Sequence, residues 1–187
     1  MNRDRLLASL LKAAQSRNAA FFTPGHKRGV GSAIALQELL GSQVFRADLP
    51  ELPELDNLFA PEGAIAASQA FAAQIFGADR TWFLVNGSTC GIIAAILATC
   101  GAGEKILLPR NVHQSAISGL ILSGAVPIFL QPEYDPAFDI AHSVTPETVA
   151  IALQEHPDAK AVLVVSPTYY GTCSDLATIA DLTHAAG

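Results

Sequence analysis

Four short runs of uninterrupted apolar residues, at 82–85, 106–108, 126–130 and 161–165, recur along this chain with helix-sized segments between them. None alternates with polar residues as a half-exposed strand would, so each predicts a strand covered on both faces. The intervening segments, 88–100, 113–123 and 146–156, have the length of ordinary helices, and Thr145 followed by Pro146 marks a capped helix start. A last helix is expected from Ser174 and Asp175 to Ala186. Strand, helix and strand at this spacing predict an α/β fold: a mostly parallel sheet flanked by helices and joined by right-handed crossovers.

The first third of the chain follows another pattern. Leu6, Leu7, Leu10, Leu11 and Ala14 recur at three- and four-residue steps and predict an amphipathic helix. Residues 21–61 are rich in Pro and Gly and read as an ordered, irregular segment with one short helix near 33–40. A second helix, 65–76, precedes the first expected strand. With 50% hydrophobic and 15% charged residues the chain is not disordered. A net charge of -6, with scattered basic residues, excludes a nucleic-acid surface. No run is long enough to span a bilayer, and residues 1–16, with Arg3, Arg5 and Lys12 among leucines, lack a signal-peptide core. Three cysteines, Cys90, Cys100 and Cys173, in no metal-like spacing suit a reduced, cytoplasmic compartment.

Parallel sheets bind ligands at the carboxyl ends of their strands. The loop after the first expected strand, Asn86-Gly87-Ser88-Thr89-Cys90-Gly91, opens a helix. There, unpaired backbone N–H groups, the helix dipole and two hydroxyls could hold a phosphate. The same residues also suit a plain capped connection with Ser88 as N-cap. The second loop places His113 at a helix start, where it could stack on a ring or simply bond to nearby backbone. The fourth, from Ser166 to Gly171, contains Thr168, Tyr169 and Tyr170, the tyrosines being equally consistent with packing.

Five segments in order resemble one family: Thr23-Pro24-Gly25-His26-Lys27; the acidic run at 48–58 with Pro53-Glu54-Leu55-Asp56; Asn86-Gly87-Ser88-Thr89; Arg110-Asn111-Val112-His113; and Ser166-Pro167-Thr168-Tyr169-Tyr170-Gly171. They are similar to the major domain of the ornithine/lysine/arginine decarboxylases, pyridoxal-phosphate enzymes of the aspartate-aminotransferase fold (fold-type I). The resemblance implies pyridoxal 5'-phosphate as cofactor and a small basic amino acid as substrate. It further implies a homodimer or higher oligomer, with no nucleic-acid or membrane partner. It gives Gly87, Ser88 and Thr89 the cofactor phosphate, His113 the catalytic, ring-stacking role, and Thr168 a place lining the cofactor site. The family commonly has a lysine after that histidine; here it is Gln114.

On this resemblance, residues 1–61 form an N-terminal helix and an irregular segment near dimer contacts and active sites. Residues 62–187 form the first part of the cofactor-binding domain, ending before the family's aspartate strand and Schiff-base lysine. The chain is then expected to cradle the cofactor and to be inactive alone. Lys105 and Lys160 fall at the amino ends of expected strands, Lys12 on a polar helix face, and Lys27 in an irregular loop. Glu51, Glu54 and Asp56 read as solvated surface charge, with attraction of a basic substrate as the alternative. Two other readings stay open: an aminotransferase or carbon–sulfur lyase on the same scaffold, and a non-catalytic binding or assembly protein.

Overall fold

The computed structural model describes residues 5–187, so Arg3 lies outside the described residues. The chain forms two compact units that divide between Phe83 and Leu84. The resemblance divides the chain at 61/62; in these compact units α4 (Ala64–Phe76) belongs to the first, where it packs on α1 (Arg5–Ala14).

In the first unit α1 and α4 are accompanied by α2 (Ile34–Leu40) and a helix the sequence pattern does not show, α3 (Ser42–Ala47). α3 packs on α1 and buries Phe45. It is only 6 residues long, too short for its periodicity to emerge from the surrounding loop. Arg46 donates to the Ala14 carbonyl at 2.9 Å and so ties α3 to the end of α1.

The second unit runs in the expected rhythm: α5 (Gly87–Thr99), β1 (Lys105–Pro109), α6 (Gln114–Ser123), β2 (Val126–Leu130), a small hairpin of β3 (Tyr134–Asp135) and β4 (Ile140–Ala141), α7 (Pro146–Glu155), β5 (Ala159–Val162) and α8 (Leu176–Ala185). The main sheet is parallel in the order β2-β1-β5. Ile106 and Leu108 of β1 face a cluster with Ile96 and Cys100 at α5, and Ala116 and Leu120 of α6. Leu107 faces the other way, into Val149 and Ala152 of α7 and Ile179 of α8. All three β1 side chains are fully buried, which explains a strand with no polar alternation; each contributes about 1.5–3 kcal/mol by burial. Thr145 caps α7 by accepting the Thr148 N–H, and Pro146 occupies its first turn.

Two expectations need correction. Residues 82–85 form no strand: they pair with no strand of the sheet, and Trp82 and Val85 remain exposed. β2 is an edge strand with Val126 and Phe129 partly exposed, and the Arg110 guanidinium lies 5.0 Å over the Phe129 ring.

Candidate functional site

β1 leads through α6 to β2 on one side, whereas the chain then crosses to place β5 on the other side of β1. Adjacent strands whose connections diverge leave a crevice at their carboxyl ends. A cavity of about 300 Å3 lies there, lined by Ser88 and Thr89 of α5, His113 and Ser115 at the start of α6, and Leu163 and Val165 beyond β5.

The helix starts around this cavity are built differently. Asn86 precedes α5 with φ -101° and ψ 22°, outside the extended conformation from which an N-cap side chain reaches back, and it makes no capping bond. Ser88 is therefore not the cap but the second helical residue. Gly87 has φ +66°, a left-handed turn that glycine adopts without strain, with open space where a Cβ would stand. The first turn of α5 keeps its backbone donors free of any side-chain cap, beside the hydroxyls of Ser88 and Thr89.

α6 is capped by His113. Its Nδ1 accepts the Ser115 N–H at 3.1 Å and stands 2.9 Å from the Ser115 hydroxyl oxygen. A ring nitrogen that accepts a backbone N–H carries no proton, which assigns the neutral ring's proton to Nε2. His113 is thus a helix-entry residue bonded to backbone and also a wall of the cavity. Ser115, buried and absent from the sequence-based site residues, holds the ring. Its only sequence signal is its position two residues after a histidine at a helix start, the spacing that lets an N-cap reach it.

Thr168 is not brought to the cavity wall. It is buried, its hydroxyl lies 2.7 Å from that of Thr172 and accepts the Tyr170 N–H, and its N–H donates to the Thr172 carbonyl. The Ser143 hydroxyl donates to that same carbonyl, so these residues brace the loop after β5. Tyr169 and Tyr170 are exposed and do not pack in the core. Gln114 is the first residue of α6. Lys105 starts β1 and pairs with Asp158 at 2.9 Å, and Lys160 is the second residue of β5; both are at the end of the sheet away from the cavity.

The acidic run in the first unit behaves as neither expected alternative. The Asp56 carboxylate accepts the N–H groups of Asn57, Glu62, Gly63, Ile65 and Ala66 at 2.8–3.1 Å; the Glu62 N–H above all, with those of Asn57, Ala66 and Gly63, holds it well below the usual carboxylate range. Glu51 accepts the Leu58 N–H at 2.7 Å. These carboxylates organise their own loop, and only Glu54 reads as plain surface charge.

A phosphate-bearing, ring-containing cofactor fits the cavity: the α5 N-terminus and two hydroxyls suit a dianion, and apolar Leu163 and Val165 suit a planar ring. The fold and site together define an open parallel α/β domain with its ligand crevice at a strand-order switch. The sequence profile of the Orn/Lys/Arg decarboxylase major domain matches residues 5–187, and the chain belongs to that family. It is 44% identical over 179 residues to the arginine decarboxylase of Bacillus subtilis (strain 168), covering 96% of this chain and 36% of that protein. The chain thus spans little more than a third of that relative's length. Among solved structures, lysine decarboxylase A from Pseudomonas aeruginosa superposes with TM-score 0.64 at 31% identity, over 70% of this chain and 18% of that one. The Escherichia coli constitutive lysine decarboxylase superposes with TM-score 0.67 over 84% of this chain and 24% of that one; its 22% identity speaks for the fold.

Proposed function

We propose that this chain forms the cofactor-phosphate and ring-binding part of a pyridoxal-phosphate-dependent decarboxylase that acts on a basic amino acid. The observation that carries this reading is the uncapped α5 N-terminus, facing the same cavity as Ser88, Thr89 and the fixed imidazole of His113. Family membership and the names of the relatives support the reaction and the substrate class.

Within this proposal the α5 N–H groups and the Ser88 and Thr89 hydroxyls bind the phosphate. His113, oriented by Ser115, lies against the ring and presents its Nε2 proton, while Leu163 and Val165 keep water from one side. Pyridoxal phosphate, when bound, supplies the electron sink that stabilises the carbanion left by departing carbon dioxide. Lys105 and Lys160 do not reach the cavity, so the second unit is assigned cofactor holding and not covalent attachment.

Binding is tested by titrating the chain with pyridoxal 5'-phosphate and, separately, with pyridoxal. Saturable binding that requires the phosphate is the expected result; equal binding of both would remove the phosphate assignment. Carbon dioxide release from arginine, lysine and ornithine by the protein that carries this chain tests the reaction. Transamination without gas release would favour the aminotransferase alternative.

A further inference from the structure

The first unit carries a second concavity that the proposed function does not use. It lies where the chain leaves α1, has a volume of about 330 Å3, and is lined by Arg17, Lys27, Arg28 and Arg46 together with Asn18 and Val30. Four of the chain's 11 Lys and Arg residues therefore meet in one hollow of a protein with net charge -6. Among the described residues no carboxylate lines it.

Two of these cations are fixed by backbone. Arg28 Nη1 donates to the carbonyls of Ser16 and Asn18 at 2.5 and 3.2 Å, and Arg46 donates to the carbonyl of Ala14. The Arg46 bond closes the carboxyl end of α1, and the Arg28 bonds brace the loop that follows it. The Arg28 guanidinium also sits 5.4 Å over the Phe22 ring, and its buried Nε has no acceptor among the described residues. The turn that presents Lys27 and Arg28 is rigid: both have positive φ, 50° and 58°, which side-chain-bearing residues adopt only where the surroundings impose it. The His26 carbonyl accepts from Gly29 and Gly31, and the His26 ring accepts from Gly29 N–H, contacts Asp48 at 3.1 Å and packs edge-on against Phe45.

Capping of α1 accounts for Arg46, and bracing of the loop after it accounts for Arg28. Neither accounts for Lys27 and Arg17, nor for like charges gathered without a carboxylate, which repel. Guanidinium forks beside an ammonium are a donor set suited to phosphate oxygens. The geometry points to an oxyanion site: this hollow binds a phosphate-bearing small molecule, with its charge on Arg17, Lys27 and Arg28 and its apolar part against Val30.

Isothermal titration of the chain with inorganic pyrophosphate tests this independently of the proposed function. Besides any binding at the α5 start, a saturable site is expected whose affinity Ser88→Ala with Thr89→Ala changes by less than about twofold, as for independent sites. Arg17→Gln with Lys27→Gln should weaken it about tenfold or more, the worth of one charge-assisted bond. Both side chains are exposed. Circular dichroism checks that the double variant stays folded, and Lys27→Gln alone serves if it does not. Absence of saturable heat overturns the site, as does binding that is lost in the Ser88/Thr89 variant and kept in the Arg17/Lys27 variant. Self-association abolished by Arg17→Gln with Lys27→Gln, without pyrophosphate binding, would assign the hollow to a protein contact instead.

Discussion

Two helices of equal length, α4 and α5, begin in opposite ways. Each has 13 residues, each is strongly apolar, and neither is capped by its own N-cap side chain. At α4 the Asp56 carboxylate, eight positions before the first helical residue, takes the N–H groups of Gly63, Ile65 and Ala66. At α5, among the described residues, no side chain does so, and the uncapped donors border a cavity. Four orphan N–H groups at a helix start must be satisfied by something. A start satisfied from within contributes to the fold, and one left open beside a cavity is available to a ligand.

The sharpest break of this contrast is Asp56→Asn, and it carries the largest expected effect on the fold. The amide has one acceptor oxygen in place of two and introduces donors among backbone N–H groups, so α4 loses its closure. The thermal midpoint of the first unit should drop clearly, while the pyridoxal-phosphate binding proposed for the second should be unchanged. The same contact makes α4 acid-sensitive. Asp56 is lowered from an ordinary value of 3.8 by its backbone donors, so its stabilisation is complete above that value and falls as pH drops below it, where the unfolded chain takes up a proton and the folded one does not. Asp158 and Asp175 are lowered for similar reasons, by Lys105 and Thr178, so the readout must be local. Hydrogen exchange at the Ile65 and Ala66 amides should quicken relative to its intrinsic rate below about pH 4, with no such change in the first turn of α5.

Replacing hydroxyls at α5 should show the reverse. Ser88→Ala and Thr89→Ala should each weaken pyridoxal-phosphate binding by about 1–3 kcal/mol and leave the apo fold nearly unchanged, because neither residue caps the helix. Equilibrium titration paired with thermal unfolding separates the two. A loss of fold stability without a loss of affinity would make α5 resemble α4. Gly87→Ala adds a smaller effect: a Cβ meets nothing within 4 Å, but φ +66° should cost about 1–2 kcal/mol of stability.

Much of the second unit was legible because strands with little polar alternation write themselves as unbroken apolar runs. Residues 106–108, buried on both faces, the strand though not the edge position of 126–130, and the capped start at Thr145 needed no further information. Residues 82–85 carry the same local signal and form no strand, since pairing depends on a partner that composition does not reveal. The turn that opens α5 was legible as a Gly-Ser-Thr sequence between apolar runs, but which residue caps the helix was not; that depends on the backbone angles at Asn86. Asp56 was read as surface charge because its donors lie up to ten positions further along the chain, at Ala66. For Thr168, expected to line the cofactor site, the partner of its hydroxyl is Thr172, four residues on, a pairing no local pattern announces.

His113 stands between the two extremes, since it caps α6 and also lines the cavity. Two groups reach its Nδ1, the Ser115 N–H at 3.1 Å and the Ser115 hydroxyl at 2.9 Å. Ser115→Ala removes only the second and should cost about 1 kcal/mol of stability, the smallest effect in this series. The backbone donor remains, so the ring should keep its proton on Nε2. Nitrogen NMR of the imidazole distinguishes the two arrangements, because a protonated and an unprotonated ring nitrogen resonate far apart. If the proton moves to Nδ1 in Ser115→Ala, the hydroxyl rather than the helix start sets the tautomer, and the cap at α6 is a consequence of the site and not its cause. If the proton stays, the opening turn of α6 by itself orients the imidazole, just as the opening turn of α5 by itself presents its uncapped backbone donors.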